Sequence, residues 1–139
     1  MKGAIFDLDG VITDTAKFHF AAWSQLASEK LGLKLPASFE TELKGISRIE
    51  SLERILDFGG LRDKYTAEQV EELAAEKNGY YLKAIDTLTK DDILPGITRL
   101  IGELKEHDVK LSVASASKNA PVILKKLGLF DKFLSLIHI

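Results

Sequence analysis

Residues 3–15, GAIFDLDGVITDT, constrain the fold more than any other part of the chain. Residues 2–6 are short, apolar and stopped by polar residues, the pattern of a buried strand. That strand delivers Asp7 and Asp9, one residue apart. Residues two apart in an extended chain point the same way. Two carboxylates so placed repel each other unless a cation or a shared proton relieves them. The segment therefore predicts a buried strand that ends at a reactive or metal-holding site.

The rest of the chain supplies the partners such a strand needs. Residues 16–31 carry Phe18, Ala22, Leu26 and Leu31 near a 3.6-residue period, which predicts a helix stopped at Gly32. Residues 36–81 read as helices only, over 38–43, 48–58 and 66–82. Thr66 and Gln69 form a capping-box pattern at the start of the last, and Gly59-Gly60 is a break. The pattern changes near Leu94-Pro95-Gly96. A helix is predicted over 97–107, an apolar strand over 110–114, a Ser-rich turn over 115–118, a helix over 119–127 ending at Gly128, and the start of a third strand within 133–139. Strands separated by helices predict a parallel sheet with right-handed crossovers. The expected organisation is α/β: a Rossmann-like parallel-sheet core from residues 1–14 and 94–139, with a helical cap domain, residues 15–93, inserted between its first two strands.

Composition narrows the class. The 139 residues are 45% hydrophobic, enough for a packed core. A formal charge of −2 speaks against a general nucleic-acid binder, which shows a basic patch or stripe. Cysteine is absent, which excludes disulfides and thiolate metal sites and fits a reducing, cytoplasmic setting. The apolar run at the N-terminus is too short for a signal peptide, and no window resembles a membrane span.

In open parallel sheets, ligands sit beyond the carboxyl ends of the strands. Asp7 and Asp9 lie beyond one such end, Ser115 and Ser117 beyond another, and four side chains facing one crevice are expected if the strands are neighbours. A hard dication with oxygen ligands would relieve the carboxylates, and magnesium suits phosphate chemistry. A carboxylate with an ordinary value near 3.9 is already ionised at neutral pH and needs no base to act as a nucleophile. Its attack on a phosphate ester would give an aspartyl phosphate, while the second aspartate handles the proton of the leaving and incoming oxygens. The Ser115 hydroxyl and amides at a helix start would hold phosphoryl oxygens. A calcium loop of the EF-hand type fits poorly, because the glycine directly follows the second aspartate and a strand precedes the loop.

FDLDGVITDT resembles the first motif, and SVASASKN the second, of the haloacid dehalogenase-like phosphatase and phosphotransferase superfamily. DTAKFHFAAW, LKGISRIESLERIL, AAEKNGYY and ASASKN are similar to its phosphoglucomutase-like branch. The resemblance implies Asp7 as nucleophile and magnesium ligand, and Asp9 as general acid/base that also gives the metal its backbone carbonyl. It implies Ser115 as a contact of the transferring phosphoryl group. The branch interconverts β-glucose 1-phosphate and glucose 6-phosphate through a phospho-aspartate and a bisphosphate intermediate. The expected partner is a small-molecule sugar phosphate, with no nucleic acid or membrane, and the expected state is a monomer.

The same resemblance implies a substrate-binding set. Arg48 offers a planar two-pronged clamp for a non-reacting phosphate. Lys44, Gly45, Ile46 and Ser47 form a loop whose backbone can approach the sugar, followed by Ser51 on the next helix. Ala116, Ser117, Lys118 and Asn119 line the core side. Lys77 and Asn78 face the substrate, His19 senses cap closure and positions Asp9, with Trp23 beside it, and Thr15 sits at the hinge. Read without the resemblance, His19 and Trp23 pack together four apart on one helix, Arg48 is a solvated residue at a helix start, and Lys77 is a solvent-facing lysine in a charged helix.

The family's third motif, a lysine, and its fourth, an acidic pair, have no counterpart before Ile139, and SLIHI departs from the acidic loop expected there. The sequence thus reads as the first part of the family pattern. Magnesium would keep two protein ligands, GAIF would become an exposed apolar edge, and weak metal binding, slow turnover and poor folding are expected of the chain as it stands. A sugar-phosphate or phosphoglycolate phosphatase and an inactive fragment are the alternative readings.

Overall fold

The computed structural model describes residues 2–139. The chain forms two compact units, residues 1–15 with 85–139, and residues 16–84. The boundaries differ from those read in the sequence. Residues 85–93 belong with the sheet, because Leu94 N donates to Ile12 O over 2.8 Å and the Thr13 hydroxyl donates to Asp92 O over 2.7 Å. Thr15 belongs there too, tied to Asp9 by a hydrogen bond.

The first unit holds three strands, β1 (Gly3–Asp7), β2 (Lys110–Ser115) and β3 (Ser135–His138), all parallel and in the order β1-β2-β3. Helix α5 (Ile97–Glu106) connects β1 to β2, and α6 (Ala120–Lys126) connects β2 to β3. Right-handed crossovers that advance in one direction leave both helices on the same face of a sheet. Burial follows that rule. Phe6, Leu111 and Val113 are buried on one face. Ile5 is 69% exposed on the other, and Ile137 is exposed beside Ala114 there. Among the described residues, β1 pairs with β2 alone. Ile101, Ile123, Leu124 and Leu127 complete the covered core.

The second unit is helical: α1 (Ala16–Leu26), α2 (Phe39–Leu43), α3 (Arg48–Phe58) and α4 (Ala67–Ile85), whose last residue counts with the sheet unit. The helix expected over 16–31 changes character after Leu26 and finishes as a π-helical turn, Ala27–Leu31, before Gly32 takes a left-handed φ of 66°. The Thr66–Gln69 capping box is present. Thr66 N donates to Gln69 Oε1 over 2.9 Å and Gln69 N to Thr66 Oγ1 over 3.2 Å. Trp23, Leu26, Leu52, Ile55, Leu56 and Ala74 form the buried centre of this unit. Among the described residues, no helix is long and apolar enough to cross a membrane.

Candidate active site

Strand β1 ends at Asp7, and the motif that follows folds back on itself. Ile12 N and Thr13 N both donate to Leu8 O, Gly10 N donates to Thr13 O over 2.8 Å, and Gly10 takes a φ of 78° that a side chain would strain. Leu8 and Ile12 are fully buried and anchor this turn. The aspartates are therefore presented by a closed loop on a rigid strand.

The two carboxyls make different contacts. Leu8 N donates to Asp7 Oδ1 over 2.7 Å, which orients that carboxyl. The Thr15 hydroxyl donates to Asp9 Oδ1. Asp9 is pushed up to about 6, first by burial of its carboxyl, then by the negative charges of Asp7 and Asp14. A carboxyl near 6 can hold a proton close to neutral pH and give it up.

Ser115 closes the neighbouring strand. Its strand pairs β1 with Asp7 opposite Ala114, so Ser115 stands one step beyond. The Ser115 side chain is buried at 2% exposure, and its Oγ accepts from Ser117 N over 3.1 Å. Ser117 Oγ in turn accepts from Asn119 N over 3.2 Å. The hydroxyls of this loop thus shape the turn that carries Ala116, exposed Lys118 and Asn119 into α6. By strand alternation Asp7 and Ser115 leave the sheet toward opposite faces, so a single crevice for all four side chains is not what the register dictates.

Within the helical unit, the loop of Lys44, Gly45, Ile46 and Ser47 turns at Gly45, φ 76°, and Ser47 caps α3 by accepting from Glu50 N over 3.2 Å. That cap places exposed Arg48 as the first residue of α3, where its Nη2 donates to Asn78 Oδ1 over 3.4 Å. Ser51 is 3% exposed, inside the helix packing. Lys77 is not the solvent-facing lysine of a charged helix: it is 4% exposed, and its Nζ lies 2.8 Å from His19 Nδ1. The ring faces of Trp23 and Tyr81 stand 4.9 and 5.0 Å from that nitrogen. His19 stacks on Tyr81 with centroids 3.9 Å apart and planes at 9°. Burial and then the Lys77 and Arg48 charges lower His19 to about 4; burial and then Arg48 lower Lys77 to about 8. Tyr81 is the residue the sequence reading passed over. Its spacing of four from Lys77 on α4 was the available signal.

A recess of about 490 Å³ along α3 is lined by Ser47, Ile49, Glu50, Glu53, Arg54, Asp57 and Arg62. Its arginines are already paired, Arg54 with Glu50 and Arg62 with Glu53 and Asp57.

As a metal site, the donor set is all oxygen and carries excess negative charge at Asp7, Asp9 and Asp14. No group of three or more His, Cys, Asp or Glu side chains forms a metal cage among the described residues. Magnesium commonly binds one or two carboxylates and completes its shell with water and phosphate oxygens, so this partial set fits it.

The sequence and the fold match known proteins. The profile of haloacid dehalogenase-like hydrolases matches residues 1–139. The chain is 49% identical to beta-phosphoglucomutase of Bacillus subtilis over 99% of its own length and 60% of that protein's. It is 28% identical to beta-phosphoglucomutase of Mycobacterium bovis over 96% of its length and 57% of that protein's. A crystal structure of beta-phosphoglucomutase from Clostridium difficile superposes with a TM-score of 0.85 at 48% identity, covering 99% of this chain and 62% of that one. The chain spans about 60% of the length of the relatives it matches.

Proposed function

We propose that this chain, which belongs to the haloacid dehalogenase-like hydrolase family, is the nucleophile-bearing part of a phosphotransferase. Its reaction is the interconversion of β-glucose 1-phosphate and glucose 6-phosphate. The observation that carries this reading is the pair of unlike carboxyls at the end of β1: Asp7 oriented by the Leu8 amide, and Asp9 raised to about 6 and held by Thr15.

In this reading phospho-Asp7 transfers its phosphoryl group to the 6-hydroxyl of β-glucose 1-phosphate: the bond from Asp7 to phosphorus breaks, and Asp9 takes the proton of the attacking hydroxyl. The glucose 1,6-bisphosphate so formed turns round. Asp7 then attacks phosphorus at the 1-position, the bond from phosphorus to that sugar oxygen breaks, Asp9 gives its proton to the departing oxygen, and glucose 6-phosphate leaves with phospho-Asp7 restored. Magnesium, held by the Asp7 carboxylate and the Asp9 backbone carbonyl, would supply positive charge against the phosphoryl oxygens. Arg48 binds the non-reacting phosphate through its fork of N–H donors, with Asn78 orienting it. Lys77 and His19 supply a cation and a ring N–H for the sugar or its phosphate. Lys44 to Ser47, Ser51 and Trp23 of the helical unit, and Ala116, Ser117, Lys118 and Asn119 of the sheet unit, complete the proposed substrate contacts.

Rapid quench of the intact protein carrying this sequence, with phosphorus-labelled β-glucose 1,6-bisphosphate, tests the reading. Acid-stable label on residue 7, lost in Asp7→Asn, is expected. Absence of label overturns it. Label that leaves as inorganic phosphate faster than it reaches sugar assigns the chain to a phosphatase instead.

A further inference from the structure

We propose that Tyr81 is a positioning residue. With Trp23 it forms an aromatic box that holds the Lys77 ammonium against His19 Nδ1, and its flat stack on the imidazole fixes His19 as the neutral, Nε2-protonated tautomer. The inference deepens the reading of His19 and Lys77 as ligand-facing residues and rests on it.

The box is assembled from two helices by one spacing rule. His19 and Trp23 are four apart on α1, and Lys77 and Tyr81 are four apart on α4, so each pair shares a helix face. All but His19 are deeply buried, with Trp23 at 3%, Lys77 at 4% and Tyr81 at 0% exposure. An ammonium has three donors and no acceptor. Its 2.8 Å approach to Nδ1 therefore requires Nδ1 to accept, which places the ring proton on Nε2. A doubly protonated ring would turn an N–H toward a cation. The low value of His19, about 4, agrees.

The ring faces matter for a second reason. A carboxylate beside Lys77 would cancel its charge. An aromatic face attracts a cation through its quadrupole and leaves the net charge in place. The helical unit thereby keeps a desolvated cation, a fixed Nε2–H donor and, at Arg48, a second cation that acts on both. That combination suits an anionic, polyhydroxylated ligand, the class to which sugar phosphates belong. Tyr81 contributes the stack that stops the imidazole from turning: centroids 3.9 Å apart and planes at 9° leave little room to rotate. Without it the ring can flip and Nδ1 loses its register with Lys77.

The test is nitrogen NMR of the His19 ring and the Lys77 ammonium in the full chain, read alongside kinetics of the intact protein. Wild type is expected to show a single Nε2-protonated tautomer between pH 6 and 7.5. A protonated or Nδ1–H ring there overturns the proposal without any variant. Tyr81→Leu is expected to give a mixed tautomer and to move the His19 midpoint from about 4 toward its ordinary 6.5. Tyr81→Phe, which keeps the ring, is expected to restore the wild-type spectrum. In turnover, Tyr81→Leu is expected to raise KM for the sugar phosphate by about 10-fold while labelling of Asp7 by acetyl phosphate persists. Wild-type tautomer and midpoint in folded Tyr81→Leu overturn the role. If the tautomers behave as expected but Asp7 is never labelled in any form, the phosphotransferase reading fails and the box stands.

Discussion

The Thr15 hydroxyl donates to Asp9 Oδ1, so the last residue of the sheet unit's first segment holds the candidate proton carrier. Thr15 is 1% exposed, and Asp9 lies six residues earlier across the closed Leu8–Thr13 turn. A donor to a carboxylate favours its ionised form. Thr15→Val keeps the volume and removes the donor, so Asp9 should rise further above about 6. The limb of the kcat/KM profile governed by Asp9 should shift to higher pH, with kcat lower by about 10-fold. Rate–pH profiles of both proteins check this; coincident profiles would remove Thr15 from the mechanism.

The lowered bases of the helical unit set a stability profile. Lys77 titrates near 8 in the folded chain and at 10.5 when unfolded. Between those values the unfolded state binds more protons, so stability rises as pH rises from 8 to 10.5. His19 follows the same rule between 4 and 6.5. Asp9, raised from 3.8 to about 6, has the opposite sign there and opposes it. The Tyr80 phenol, raised above its ordinary 10 first by its hydrogen bond to Glu29, opposes it above pH 10, so the clearer window runs from 8 to 10. Melting temperatures should climb between pH 8 and 10 in wild type and stay flatter in Lys77→Met. Equal slopes would mean that the Lys77 ammonium is not desolvated by the fold.

Much of this was legible because local patterns and tertiary demands agree. GAIF ends at Asp7 because the apolar run ends there, and the Thr66–Gln69 box starts α4 where the spacing says it should. Other features depend on contacts that sequence periodicity does not encode. The α1 helix loses its α register after Leu26, and residues 85–93 join the sheet through the Leu94–Ile12 and Thr13–Asp92 hydrogen bonds. Lys77 looked solvent-facing within EELAAEKN. Its burial is decided by aromatic residues 54 positions away at Trp23 and four away at Tyr81, and only the second spacing is local.

On the proposed function, Arg48 separates binding of the second phosphate from chemistry at Asp7. It opens α3 through the Ser47 cap and reaches Asn78 over 3.4 Å, so its guanidinium is placed by two helices of one unit. If Arg48 clamps that phosphate as proposed, Arg48→Ala removes two charge-assisted hydrogen bonds, and mutase kcat/KM of the intact protein should fall by about 100-fold. Arg48→Lys keeps the charge and loses the fork, and should fall between. Labelling of Asp7 by acetyl phosphate needs no second phosphate and should survive both changes. Because the Arg48 charge also lowers Lys77 and His19, Arg48→Ala should raise both midpoints, from about 8 and about 4, giving a readout independent of turnover. Loss of labelling together with mutase activity would show that Arg48 acts through the integrity of the fold and not as a clamp.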